Sequence, residues 1–152
     1  MNPDTHPPKA SPLGRAYASL RGLALGDAFG QRFFGDPGRM WNRIKQRQLP
    51  EPPWEWTDDT AMALSIYRCL RANGAIDQDE LALFFAAEHG LEPGRGYGRG
   101  AHEVLNAISH GRPWLEAASG LFGGDGSCGN GAAMRVAPLG AFFADQDLER
   151  VL

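Results

Sequence analysis

Trp56-Thr57-Asp58-Asp59-Thr60 places two adjacent carboxylates and two hydroxyls within one short segment. At the start of a helix the positive end of the dipole favours such groups, so capping alone would account for them. The same donors also suit a hard cation, because Mg²⁺ prefers carboxylate, hydroxyl and water oxygens. Neighbouring helical residues point about 100° apart, so Asp58 and Asp59 suit two ions, or an ion and a substrate, better than one shared chelate. A second segment, Gly123-Gly124-Asp125-Gly126-Ser127-Cys128-Gly129-Asn130-Gly131-Ala132-Ala133-Met134-Arg135, is rich in glycine. A glycine-rich turn exposes backbone N–H groups that cradle phosphates, or it is a plain tight turn. It is neither a Walker loop, lacking Gly-Lys-Ser/Thr, nor a dinucleotide fingerprint, lacking a preceding strand. Arg95-Gly96-Tyr97-Gly98 is a weaker segment of the same kind.

The elements that must carry these residues read as helices. The sequence holds 16 Leu and 21 Ala against ten Val, Ile and Thr together, a balance that favours helix over strand. Ser11-Pro12 is a helix start, and Leu13, Tyr17, Leu20, Leu23 and Leu25 follow at helical spacing to about Phe29. Gly22, Gly26 and Gly30 lie four apart on that helix, which implies close approach by a packed helix or by a ligand. Residues 35–56, with Pro37, Pro50, Pro52 and Pro53, read as irregular. Thr57 opens a second helix that Gly74 stops. Asp77-Gln78-Asp79-Glu80 is a capping box for a third helix, ending at Gly90. A fourth runs through Val104, Leu105 and Ile108 to Gly111, a short fifth begins at Pro113, and an apolar stretch reaches Phe143 after Pro138. Asp145 reads as the cap of one more helix, with Leu148, Val151 and Leu152 on one face, as expected of a chain truncated inside a larger fold. Residues 1–10, with three prolines, read as a flexible leader, leaving 11–152 as part of a single helical domain.

Composition narrows the function. The chain has 152 residues and a net charge of −3 from 15 Lys+Arg and 18 Asp+Glu, which disfavours a large basic groove for nucleic acid. No apolar run approaches the roughly 20 residues of a membrane span. Cys69 and Cys128 form no CxxC pair, which fits a reducing cytoplasm and argues against a zinc knuckle. His6, His89, His102 and His110 show no metal-ligand spacing and read as helix-end or solvent-facing side chains. Asp27, after a helical glycine, reads as a partner of metal ligands or as a buried hydrogen-bonding group.

Taken in order, four motifs resemble the ADP-ribosylglycohydrolase family, from about Leu13 to the end of the chain. They are Gly22-x-x-x-Gly26-Asp27-Ala28-x-Gly30, Trp56-Thr57-Asp58-Asp59-Thr60-x-Met62, Arg95-Gly96-Tyr97-Gly98, and Gly129-Asn130-Gly131-Ala132-Ala133-Met134-Arg135-Val136-Ala137-Pro138-Leu139-Gly140. The resemblance implies an all-α, compact multi-helix fold holding two Mg²⁺ or Mn²⁺ ions. It makes Thr57, Asp58 and Asp59 one half of the metal-ligand set and Asp58 and Asp59 catalytic residues. The other half is an Asp-x-Asp-Thr motif that nothing in this sequence matches. Ser127, Cys128 and Gly129 fall where the family loop holds a diphosphate, and Gly98, Asn130 and Gly131 join them as substrate-binding positions. Phe122 falls where some relatives stack an aromatic on adenine; at Cys128 those relatives carry a second aromatic. Many relatives have a glutamate where this sequence has Phe34, and Asp36 is the nearby carboxylate that would replace it. The implied reaction is hydrolysis of the C1″ bond joining ADP-ribose to a modified protein or small acceptor, through an oxocarbenium-like transition state. The alternatives are a binding module for ADP-ribose without turnover and a purely structural helical domain.

Overall fold

The computed structural model describes residues 10–146, and these form seven α-helices and a 3₁₀ turn with no strand among them. The helices are α1 (Pro12–Gln31), α2 (Pro37–Lys45), α3 (Asp58–Asn73), α4 (Gln78–Leu91), α5 (Arg99–Ser109), α6 (Trp114–Ser119) and α7 (Ala137–Phe142), with the 3₁₀ turn at Leu121–Gly124. Local chemistry sets most of their limits. Ser11 accepts the Gly14 N–H at 3.1 Å with Pro12 in the first turn of α1. Asp77 accepts the Glu80 N–H at 2.9 Å to open α4, and Gly74 ends α3 in the left-handed region at φ 68°. α4 passes through Gly90, expected as its stop, and ends at Leu91.

α3 is the spine. Its apolar residues divide between two cores, so it is the helix whose displacement would disturb both. On one side Ile66 and Leu70 pack with Ala16 of α1 and Phe142 of α7. On the other, Ala61 and Met62 pack with Ala82 and Ala86 of α4, Leu105 and Ile108 of α5, Ala117 of α6 and Tyr97. The helices thus run α7–α1–α3–α4–α5–α6 in order of packing. Arg15 ties α1 to the end of α7 and the residues after it, donating to the carbonyls of Ala141 and Phe142 and pairing with Asp145 at 2.8 Å. The helix expected beyond Asp145, through Leu148, Val151 and Leu152, and residues 1–9 of the expected leader lie outside the described residues.

Two expectations need correction. Residues 35–56 are not wholly irregular, because α2 occupies Pro37–Lys45. Asp36 caps it, accepting the Arg39 N–H at 2.8 Å, and Pro37 takes the first helical position. No residue of α2 is buried, and its apolar Trp41 and Ile44 stay exposed. On α1, the buried positions are Ala16, Leu20 and Ala28, while Tyr17 and Leu25 are exposed. Among the described residues nothing lies within 4 Å of a Cβ added at Gly22, Gly26 or Gly30, so the close approach expected at those glycines is not made by this part of the molecule. No helix among the described residues is long and apolar enough to cross a membrane.

Candidate active site

The site is built on the first turn of α3. Thr57 is the N-cap in extended conformation, and Asp58 and Asp59 follow in the first turn. Asp27, from the C-terminal half of α1, fixes this turn from the side. Its carboxylate accepts the Thr57 N–H at 2.7 Å and the Thr57 hydroxyl at 2.7 Å. It also accepts the Thr60 hydroxyl at 2.6 Å and the Thr60 N–H at 3.3 Å. Asp27 therefore satisfies N–H groups that a helix start otherwise leaves without partners, and it links α1 to α3 across 30 residues of sequence. The Thr57 hydroxyl thus lies between two carboxylates, 2.7 Å from Asp27 Oδ1 and 3.2 Å from Asp59 Oδ2, and its oxygen accepts the Asp59 N–H at 3.4 Å as the cap of α3.

A turn after α4 closes the other side. The Asp58 N–H donates to the Arg95 carbonyl at 2.9 Å. The Arg95 guanidinium lies 3.6 Å over the Trp56 ring, donates to the Trp56 carbonyl at 2.7 Å and pairs with Glu92 at 2.6 Å. Gly96 takes φ +94°, and a Cβ there would sit 3.5 Å from Asp58 Oδ1, so this turn requires glycine for its backbone conformation. Tyr97 then turns inward to 5% exposure, and its hydroxyl has no hydrogen-bond partner among the described residues.

Asp58 looks into a cleft of about 690 Å³ between α3, α4, α5 and the 121–135 segment. Gly98, Phe122, Ser127, Gly129, Asn130 and Gly131 line the same cleft, as do Met62, Phe85 and Arg135. Of the substrate-binding positions inferred from sequence, Cys128 alone is not on its wall; its side chain is exposed. Thr57 borders a separate, more polar cavity of about 510 Å³ with Trp54, Trp56, Glu92 and Gly96. Asp59 and Asp36 line neither cavity, and Asp36 is engaged as the cap of α2. Phe34, where the resemblance implies a glutamate, is 81% exposed.

Phe122 stands in the left-handed region at φ 53°, which costs a non-glycine residue about 1–2 kcal/mol. Gly123, Gly124 and Gly126 continue the positive-φ run. The ring lies against the first turn of α5, where a Cβ on Gly100 would come 3.1 Å from Phe122 Cζ and 2.9 Å from Leu121 Cδ2. In the following turn the Ser127 hydroxyl accepts the Gly129 N–H at 3.0 Å.

Electrostatics single out the acidic cluster. Burial, then the Asp59 and Asp27 charges, push the Asp58 carboxyl above its ordinary value, while His102 acts in the opposite sense. Asp59 is raised by burial and by Asp27. Like charges crowded in a partly desolvated site are the arrangement a divalent cation relieves, and the donors are the hard oxygens that Mg²⁺ and Mn²⁺ take. The donor chemistry fits, but among the described residues no three His, Cys, Asp or Glu side chains converge as a cation's ligands. Thr57, Asp58 and Asp59 thus offer part of a ligand set.

Two features had no clear local signal in sequence. His89, expected at a helix end or in solvent, is 4% exposed, with Nε2 2.8 Å from His102 Nδ1. Burial and the neighbouring His102 lower its pKa. The Tyr97 hydroxyl is pushed up to about 12, chiefly by burial and then by Glu88 and Asp58. The other is Arg135, whose spacing pointed to nothing.

An all-helical domain with an acid-bearing helix start opening on a glycine-edged cleft defines a class, and the sequence signature of the ADP-ribosylglycohydrolases matches residues 8–152. The chain belongs to that family. It is 34% identical over 156 residues to ADP-ribosylhydrolase ARH3 of Homo sapiens, covering 93% of this chain and 43% of that protein. The Danio rerio protein of the same name is 34% identical over 140 residues, covering 86% of this chain and 38% of its own. The ADP-ribosyl-dinitrogen reductase glycohydrolase of Rhodospirillum rubrum is 30% identical over 142 residues, covering 82% and 43%. The chain therefore spans less than half the length of these relatives.

Proposed function

We propose that this chain supplies the nucleotide cleft and one half of the metal site of a hydrolase that cleaves the C1″ glycosidic bond of ADP-ribose on a modified protein or small acceptor. The observation that carries the reading is the position of Asp58, which belongs at once to the Asp27–Thr57–Asp59 cluster and to the cleft lined by Phe122 and Ser127. Adenine would stack on Phe122, and the diphosphate would lie along Ser127, Gly129, Asn130 and Gly131, with Gly98 opposite. That order brings the distal ribose to the start of α3. Thr57, Asp58 and Asp59 would hold Mg²⁺ or Mn²⁺, which when bound orients sugar hydroxyls and acidifies water. Asp27 accepts from the hydroxyls of Thr57 and Thr60 and keeps the first turn of α3 in place. The names of the relatives, which are ADP-ribosylhydrolases or glycohydrolases, support the substrate class.

A second reading, ADP-ribose binding without turnover, is favoured by one observation. Phe34 is exposed where the resemblance implies a glutamate, and Asp36 is occupied in capping α2. Incubating the chain with arginine-linked and serine-linked ADP-ribosyl peptides in Mg²⁺ or Mn²⁺, and measuring free ADP-ribose by chromatography, separates the two. Release that stops on chelation supports hydrolysis. Binding of ADP-ribose without release supports the second reading, and absence of both removes the two together. A cytoplasmic setting fits this chemistry and the two free cysteines.

A further inference from the structure

Arg135 and Arg99 are cations on the wall of the cleft, and among the described residues no oxygen answers the Arg135 guanidinium. The guanidinium carbon of Arg135 lies 4.8 Å over the Phe85 ring, and Nη1 lies 3.2 Å from the Met62 sulfur. A thioether sulfur is a weak acceptor and an aromatic face takes only part of a cation's charge. Five other arginines, Arg15, Arg39, Arg68, Arg95 and Arg112, pair with carboxylates, whereas among the described residues Arg135 has no carboxylate within 4.0 Å. Asp58 and Arg135 border the same cleft without forming an ion pair. Met62 lies one helical turn beyond Asp58 on the same face of α3, so the guanidinium sits about one turn further along the wall.

A half-buried guanidinium with its N–H groups turned toward a cleft loses water without gaining partners, an arrangement that costs stability unless a ligand supplies them. Burial accordingly lowers the Arg135 pKa, with Asp58 opposing. The planar fork of N–H groups matches two oxygens of one phosphate. Elsewhere on this wall Ser127, Asn130 and Gln78 are neutral, Arg99 stands at the start of α5, and much of the lining along α4 and α5 is apolar, as at Phe85, Val104 and Leu105. Ser127 already accepts the Gly129 N–H, which leaves that amide less free to hold an anion by itself.

We infer that Arg135 is a phosphate-binding residue of the cleft, taking a phosphate of the bound nucleotide through its guanidinium fork while Phe122 takes the base. This rests on the nucleotide reading of the cleft and adds to the loop amides a charged contact beside Met62 and Phe85. It also assigns specificity: the cleft should prefer diphosphate-bearing ligands to the bare nucleoside.

Calorimetric titration of the chain with ADP-ribose and with adenosine tests this. ADP-ribose should bind the more tightly. Arg135→Met should lower ADP-ribose affinity about 10- to 100-fold, the range of a charge-assisted hydrogen bond, while leaving adenosine affinity within about twofold. Arg135→Lys, which keeps the charge but loses the fork, should recover part of the loss, and circular-dichroism melts identify any variant that is unfolded. If Arg135→Met weakens both ligands equally, or neither, Arg135 serves packing and the assignment is wrong. If wild-type chain binds neither ligand, the nucleotide reading fails first and this assignment with it.

Discussion

Asp27 takes four hydrogen bonds from Thr57 and Thr60 and so decides where Asp58 and Asp59 point. The cost falls on those two carboxyls, whose pKa values are raised by burial, then by Asp59 and Asp27 at Asp58 and by Asp27 at Asp59. A folded-state value above the unfolded 3.8 means that the native chain binds more protons than the unfolded chain between the two values. Stability from this source is therefore present at low pH and falls as pH rises through the raised value. Asp58→Asn should accordingly raise the melting temperature of the metal-free chain at pH 7, and the gain should shrink toward pH 4. Scanning calorimetry in chelator measures it, and a lower melting temperature at pH 7 would show that the Asp58 charge is instead stabilising. At this scale the sequence was only partly legible. Thr57, Asp58 and Asp59 announce themselves as adjacent oxygen donors, and Asp27 as a polar residue after a helical glycine. Arg135 and the His89–His102 pair do not, because their meaning arises only when α3, α4 and α5 are brought together.

The elements that carry these residues were legible wherever caps and apolar period coincided. α1, α3 and α4 begin at Ser11, Thr57 and Asp77 as their side chains dictate. α2 differs: Asp36-Pro37 is a start signal, but the helix is only nine residues long and its apolar Trp41 and Ile44 stay exposed instead of entering a core. The same helix shows why Asp36 is a poor substitute for a glutamate, since its carboxylate already holds the Arg39 amide. α5 makes a sharper point. Gly100 in its first turn leaves room for the Phe122 ring and the Leu121 methyl, which a Cβ would meet at 3.1 Å and 2.9 Å. Gly100→Ala should favour the helix by about 0.5–1 kcal/mol, offsetting the shift of two flexible side-chain ends. Thermal stability should therefore change little, whereas ADP-ribose affinity should fall about 3- to 10-fold as the ring is displaced, corresponding to the loss of roughly 0.5–1.5 kcal/mol of stacking. Unchanged affinity in a titration would separate Phe122 from the base.

At the scale of the molecule, α3 joins two cores and presents its first turn between the partners Asp27 and Arg95. The cleft opens beside that turn, so the fold itself joins the acid cluster to the cleft wall. The all-helical class and the family were readable from four motifs in order, and the structure shows why those motifs matter together. Three of them meet around Asp58: the Asp27 segment behind it, the Arg95–Gly98 turn against it and the Gly129–Arg135 stretch across the cleft. The chain spans 38% to 43% of these relatives' length. The central claim, that this chain carries an ADP-ribose cleft coupled to half a metal site, is tested most directly by titrating it with ADP-ribose in Mg²⁺ and again in chelator. The account predicts measurable binding in both, tighter with Mg²⁺. Absence of binding, or an affinity indifferent to Mg²⁺, would contradict it.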